Sequence, residues 1–212
     1  MTRNFHFILA ALVYCGAGSA LADLGDDVQH LQQRWAEVNY QLDGKTQLAA
    51  FEQLMNEAKA LTSANASEAD AWVWSGIIKS TYAGAKGGLG ALALAKEAKA
   101  DLERALTLDP TAQAGAAYTS LGALYYNVPG WPVGFGDSKK AEELLKQALV
   151  LAPDDIDANY FYADFLIEKK RYAEARSYLQ KAQQAAPRPG RELADAGRRE
   201  EIAEELQQIA RK

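Results

Sequence analysis

The hydrophobic residues of this chain recur mostly every three or four positions, which is the spacing of one face of an α-helix. Two such stretches, residues 24–42 and 46–61, are separated by Asp43 and Gly44, which are typical turn residues. Another covers residues 191–211, where the apolar positions are backed by Glu, Arg and Gln. The pattern predicts a chain of amphipathic helices that begins with a helical hairpin and ends with a single helix.

The middle of the chain repeats itself. Three helix-like segments end at Pro110, Pro153 and Pro187, and the last two prolines are 34 residues apart. Aligning the prolines brings three further sets of residues into register: Ala98, Ala141 and Ala175; Leu102, Leu145 and Leu179; Ala105, Ala148 and Ala182. A period of 34 residues indicates helical hairpins that stack on one another, each ended by a proline that cannot continue the helix.

A small residue occupies the same place in the first helix of each unit, at Gly76, Gly122 and Ala163. Trp72 and Tyr118 stand four residues before the two glycines. These positions resemble the tetratricopeptide repeat, in which helices approach closely at the small residue. The resemblance implies an all-α fold, a right-handed α–α superhelix of helical hairpins with helical caps at both ends.

The resemblance also divides the chain into segments. The predicted segments are a signal peptide at 1–22, a degenerate N-terminal hairpin cap at 23–66, three repeat units at 67–110, 111–153 and 154–187, and a C-terminal capping helix at 188–212.

Two units are longer than the repeat requires, and their extra residues fall between the two helices of the hairpin. We expect inserted loops near 83–91, within "YAGAKGGLGAL", and at 127–137, "NVPGWPVGFGD". The first lacks the Gly-Lys-Ser/Thr pattern of a phosphate-binding loop, so it predicts a flexible turn. Because the hairpins stack in parallel, the two insertions should lie side by side on one edge, which in repeat proteins is often the binding edge.

The second insertion is rich in aromatic residues, prolines and glycines. Trp131 and Phe135 either pack back onto the hairpin or remain available to a ligand, and one ring could do each. Asp137 or Ser138 is expected to cap the helix that follows.

The tetratricopeptide resemblance places certain first-helix positions on the concave face. Together with the loop aromatics, they give the candidate ligand-binding residues Val73, Ile77, Tyr126, Asn127, Trp131, Phe135, Tyr160 and Asp164. The concave set contains no lysine or arginine, so a clamp for a C-terminal carboxylate is not expected. The face instead grades from apolar to acidic, and Asp157, Asp164 and Glu168 either contact a partner or keep the face soluble.

Nothing in the sequence predicts catalysis. Removing the first 22 residues leaves His30 as the one histidine and no cysteine, and no cluster of metal ligands is present in the sequence. We therefore expect no enzymatic activity, no cofactor and no metal. The net charge of −5 and the lack of a basic run argue against a nucleic-acid partner.

The first residues predict export. A basic start at Arg3, an apolar run and the small residues ending at Ala22 form a secretory signal peptide, with cleavage after Ala22. Lipid attachment at Cys15 is not expected, because Tyr14 stands where a lipoprotein signal has Gly or Ala. The expected location is periplasmic or secreted, and no stretch after residue 22 is apolar enough to span a membrane.

Two functions are compatible with these features. The first is an adaptor or scaffold that binds a protein or peptide partner, such as an envelope or transporter component, through the concave face and the insertions. The alternative is a small-molecule carrier, because residues 115–153 resemble tetratricopeptide proteins associated with TRAP-type transporters. An adaptor needs an open groove, whereas a carrier needs an enclosed apolar pocket. The sequence leaves the oligomeric state open.

Overall fold

The computed structural model describes residues 17–212, and within that range it contains nine α-helices and no strand. The helices are α1 (Ala17–Gln41), α2 (Gly44–Ala64), α3 (Ala69–Lys86), α4 (Gly88–Leu108), α5 (Ala112–Asn127), α6 (Ser138–Leu151), α7 (Ile156–Glu168), α8 (Tyr172–Gln183) and α9 (Glu192–Ile209). The all-α prediction is confirmed. Residues 1–16, which hold most of the predicted signal peptide and Cys15, lie outside the described residues.

Consecutive helices pair as antiparallel hairpins that stack into a solenoid. The pairs are α1 with α2, α3 with α4, α5 with α6, and α7 with α8, and the first helix of each hairpin contacts the first helix of the next. Within residues 17–212, no helix is both long enough and apolar enough to cross a membrane.

The small residues of the repeat allow the two helices of a hairpin to touch. A methyl group added at Gly76 would lie 2.5 Å from Cγ of Leu102, and one added at Gly122 would lie 2.6 Å from Cγ of Leu145. These leucines are the ones that the repeat alignment brings into register. Because a carbon–carbon contact of this length is strongly repulsive, the sequence pattern reflects a direct steric requirement.

The first insertion is not a loop, and this corrects the prediction of a turn near 83–91. α3 continues to Lys86 and α4 starts at Gly88, so only Gly87 separates them. Gly87 has φ 59°, a left-handed conformation that glycine adopts without a steric cost. The alanines and leucines around it favour helix, and the extra residues therefore lengthen both helices.

The second insertion is an ordered loop between α5 and α6. The Asp137 side chain caps α6 by accepting hydrogen bonds from the backbone N–H groups of Lys139 and Lys140, at 2.9 and 3.1 Å. Gly136 N donates to the Pro129 carbonyl at 3.0 Å, and a side chain at Gly136 would collide with the backbone of residue 128. The loop therefore closes tightly on itself.

The two insertions meet, as the stacking of the hairpins predicted. A methyl group added at Gly134 in the loop would lie 3.4 Å from Cδ1 of Leu92 on α4. One edge of the solenoid is thus built from the lengthened α3–α4 hairpin and the 127–137 loop.

The last helix, α9, contacts both ends of the helical array. α9 contacts α7 and α8, and it also contacts α1 at the other end of the array. Gly197 is required there, because a side chain would collide with the ring of Tyr40. A second contact brings Gln29 next to Gly190, just before α9. The contact between α1 and α9 brings the two ends of the solenoid together beside the concave face.

Candidate ligand-binding cavity

The concave face forms a partly enclosed cavity of about 820 Å³. Its walls come from α1, α3, α5, α7 and α9, with the edge built from α4 and the 127–137 loop. Its apolar lining includes Ile77, Ala91, Leu92, Leu124, Val128 and Phe161. A volume of this size lies within the range of pockets that hold small molecules.

Neutral polar groups are interspersed in this lining. Trp35 Nε1 donates to Thr81 Oγ1 at 3.0 Å, which fixes the position of the hydroxyl. At the start of α5, Gln113 and Ala114 have φ of 49° and 54°, a left-handed conformation that is costly for residues with a side chain. Both line the cavity. Strained backbone of this kind is held in place by its surroundings and is typical of binding sites.

One end of the cavity is charged. Asp157 of α7 accepts from Arg198 Nε at 2.8 Å and from Arg188 Nη1 at 2.7 Å. Arg188 also binds the buried Asp195, with 2.7 Å between Nη2 and Oδ1. Burial raises the pKa of the Asp157 carboxyl, but Arg198 and Arg188 outweigh burial and hold the pKa well below its usual range. Asp157 is therefore ionised and paired.

Arg198 is the centre of this network. It is 6% exposed, and its guanidinium carbon lies 4.2 Å from the ring centroid of Tyr160 and 4.7 Å from that of Phe161. Its Nη1 also pairs with Glu201, one turn along α9. These contacts attach α9 to α7, so the charged network supports the closure of the cavity.

Three of the eight predicted site residues line the cavity: Ile77, Asn127 and Tyr160. The other five do not. Val73 is fully buried in the hydrophobic core, so its predicted contact with a ligand is corrected to core packing. Tyr126 and Asp164 bind each other through a hydrogen bond from the tyrosine hydroxyl to the carboxylate, and neither residue lines the cavity.

The two aromatic residues of the loop have different surroundings. Phe135 packs edge-on against Tyr125, with 5.5 Å between the ring centroids. Trp131 is 91% exposed and does not line the cavity. Of the alternatives that the sequence left open, one ring packs against the protein and the other faces solvent.

The arginines of the cavity were missed by sequence reasoning. Arg188, Arg191 and Arg198 come from α9 and the segment before it, whereas the prediction considered only the first helices of the three repeats. The expected apolar-to-acidic gradient is therefore corrected, because Asp157 is paired with two arginines. A signal was present: Arg191 and Arg198 are seven residues apart, on one helical face.

A second carboxyl group near this network has an unusual pKa. Burial, together with the neighbouring Asp164, raises the pKa of Glu205 to about 7. Its Oε2 is buried and has no hydrogen-bond partner among the described residues. The folded protein thus binds this proton more tightly than the unfolded chain does, for which the reference pKa is 4.5.

We expect stability to fall by about 1–2 kcal/mol on this account as the pH rises from about 4.5 to about 7, a value reduced for the partial exposure of Glu205. Burial also raises the pKa of Asp155, Asp164 and Glu201, so the wild-type curve contains several contributions. Urea unfolding of Glu205→Gln between pH 4.5 and pH 8 isolates the contribution of Glu205. The variant should equal wild type near pH 4.5 and exceed it at pH 8.

Glu204→Gln is the matched control, because Glu204 is the exposed neighbour on the same helix. Parallel stability curves for Glu205→Gln and wild type between pH 4.5 and 8 would show that Glu205 does not titrate in this window.

Comparison with known proteins identifies the class of fold. Residues 133–209 match the model of the tetratricopeptide repeat family. The crystal structure of TTC0263, a thermophilic TPR protein in Thermus thermophilus, is similar with a TM-score of 0.57 and 18% identity, over 87% of this chain and 99% of that chain. The crystal structure of MamA gives a TM-score of 0.45 and 18% identity, over 77% of this chain and 88% of that chain. A search of curated proteins found no significant match.

The chain thus has the fold of a tetratricopeptide-type α-helical solenoid, and residues 133–209 carry the match to the repeat family. Arrays of this class are in general scaffolds for protein–protein interaction and are typically non-catalytic. These comparisons do not show the weaker resemblance to proteins of TRAP-type transporters. Within residues 17–212, no group of three or more His, Cys, Asp or Glu side chains is arranged to hold a metal ion.

Proposed function

We propose that this protein is an exported, non-catalytic binding protein that holds a small, largely apolar ligand in the cavity closed by α9. The observation that carries the proposal is the contact between α1 and α9, which turns a concave groove into a cavity of about 820 Å³. An extended peptide needs a groove that is open along its length. A partly enclosed space with an apolar wall and a few polar groups suits a small molecule.

The proposal is tested by filling the cavity. Ala123 lines it from α5, and Ala123→Trp should occupy the space that a ligand needs. Ala173→Trp, on the exposed face of α8, adds the same bulk outside the cavity. Native mass spectrometry of protein from its own cell envelope should find a small molecule bound to wild type and to Ala173→Trp, and not to Ala123→Trp.

The proposal fails if wild-type protein isolated in this way carries no small molecule and its tryptophan fluorescence responds to none of a panel of small apolar compounds. Equal ligand occupancy in both tryptophan variants would place the bound molecule outside the cavity.

A second function, that of a protein adaptor, is favoured by the tip of the 127–137 loop. Trp131 is 91% exposed and Val133 is 64% exposed. The loop is held by its own hydrogen bonds and by the packing of Phe135, so this apolar tip is presented by a fixed backbone. A rigidly held, exposed tryptophan is a frequent anchor of protein interfaces. The tip would then dock the protein onto an envelope or transporter component.

The adaptor role predicts that Trp131→Ala abolishes retention of a specific partner from envelope extract and changes the melting temperature little, since the ring packs against almost nothing. Val150→Ala is the control, because Val150 is 73% exposed on α6, outside the loop. A partner that is retained equally by Trp131→Ala and wild type would contradict a role for this tip.

Export rests on residues 1–22. In the producing organism, the N-terminal residue of the mature protein should be Asp23, and Cys15→Ser should leave its location unchanged. A mature protein that begins at Cys15 and carries lipid would overturn this part of the proposal.

A further inference from the structure

Arg191 lines the cavity at its charged end. It is the residue immediately before α9, and its guanidinium carbon lies 5.0 Å from the ring centroid of Trp74 on α3. Trp74 is 2% exposed and is itself fixed against Trp35 of α1, with 6.0 Å between the ring centroids. The aromatic contact therefore holds the guanidinium at a defined place in the wall.

Among residues 17–212, Arg191 differs from the two other arginines of the cavity in having no ionic partner. Arg188 pairs with three carboxylates and Arg198 with two. Nε of Arg191 is buried and makes no hydrogen bond to any described residue. Burial and the nearby Arg188 lower the pKa of Arg191 by more than Asp157, Asp195 and Asp155 raise it. A buried donor without an acceptor costs free energy that a ligand could recover.

The neighbouring carboxylates are already engaged. Asp157 is bound by Arg188 and Arg198, and Glu201 by Arg198. Asp195 binds Arg188, while Asp155 accepts from the Ala158 N–H at 2.8 Å and lies 3.5 Å from Arg188. Among the arginines at this end of the cavity in residues 17–212, Arg191 is the one whose guanidinium forms no ion pair.

We infer that Arg191 is the anchor for the carboxylate of an elongated monocarboxylate whose apolar body lies along the wall formed by Ile77, Leu92 and Leu124. This inference rests on the proposed function. A guanidinium is a planar fork that matches a carboxylate with two parallel hydrogen bonds. A dianion fits less well, because its second charge would face Asp155 and Asp157 without a free cation.

The test compares three probes of equal chain length: decanoate, decanol and decyl phosphate. Binding is followed by calorimetry and by the fluorescence of the cavity tryptophans. Wild type should bind decanoate more tightly than the other two. Arg191→Gln should weaken the binding of decanoate by roughly 10- to 100-fold, the loss expected for charge-assisted hydrogen bonds. The affinity for decanol should be unchanged. Arg191→Lys keeps the charge but loses the planar guanidinium, so its affinity for decanoate should lie between those of wild type and Arg191→Gln.

Arg171→Gln is the control variant, since Arg171 forms its ion pairs on the outer surface.

If decanoate and decanol bind wild type equally, or Arg191→Gln binds decanoate as well as wild type does, the carboxylate site is overturned and the ligand cavity stands. Tighter binding of decyl phosphate overturns the preference for a single charge. If no probe binds wild type, this inference fails, and the proposed function fails with it only if native mass spectrometry and the panel of apolar compounds also show no bound small molecule. Should Arg191→Gln not fold, the preference of wild type for decanoate over decanol decides.

Discussion

Replacing Arg198 with alanine should lower the free energy of unfolding by about 3 kcal/mol. The side chain is 6% exposed, and it joins Asp157 of α7 to Glu201 of α9. Its removal leaves Glu201 without this cation and Asp157 with Arg188 alone. We expect a value at the lower end of the range for broken buried pairs because Arg188 still compensates Asp157. Urea unfolding measures the loss.

Arg171 provides a matched control for this prediction. It also binds two carboxylates, Glu142 at 3.0 Å and Glu174 at 2.6 Å, but it does so at the surface. Arg171→Ala should cost far less than Arg198→Ala, because ion pairs at the surface are screened by water. In the double variant Asp157→Asn/Arg198→Met, the loss should be smaller than the sum of the two single losses, because the buried charges are removed together. Equal losses of unfolding free energy for Arg198→Ala and Arg171→Ala would show that the buried network stabilises the fold no more than the surface ion pairs do.

The second large effect is expected at the contact between α1 and α9. Gly197→Ala places a methyl group against the ring of Tyr40, and either the ring or the helix has to move. Overpacking of this kind costs about 1–3 kcal/mol. We also expect the cavity to open, which would appear as a larger radius of gyration in solution scattering and as faster proteolysis within α9.

Gly84→Ala is the control, because Gly84 is also helical and an added methyl group meets no atom within 4 Å. Alanine favours helix over glycine, so this variant should be unchanged or more stable by up to about 1 kcal/mol. If Gly197→Ala is also as stable and as compact as wild type, the α1–α9 contact is not tight in solution.

Local sequence rules predict the hairpins of this fold well. The positions of Gly76 and Gly122, and of the leucines they face, follow from the repeat period, because each hairpin needs a small residue where its helices touch. The cap at Asp137 follows from the preference of helix N-termini for short polar side chains.

The sequence was less informative where distant parts of the chain meet and where glycines cluster. The first insertion contains four glycines and was expected to be a loop, yet the alanines and leucines around them sustain two long helices. Here the density of glycine was a poorer guide than the helix propensity of its neighbours.

The cavity itself depends on the return of α9 to α1, a contact between residues about 160 positions apart, such as Tyr40 and Gly197. The spacing of apolar residues within one helix cannot predict such a contact. For the same reason, the arginines of the closing helix were expected on its polar outer side, although Arg191 and Arg198 both line the cavity.

The junction between the first and last helices has a consequence for how this molecule can vary. An open solenoid tolerates duplication or loss of a hairpin, because each unit touches only its neighbours. In this chain, one hairpin more would hold Tyr40 and Gly197 apart, and one fewer would force them together. The number of units is therefore fixed by geometry, and variants that differ in length should differ within the α3–α4 bend or the 127–137 loop.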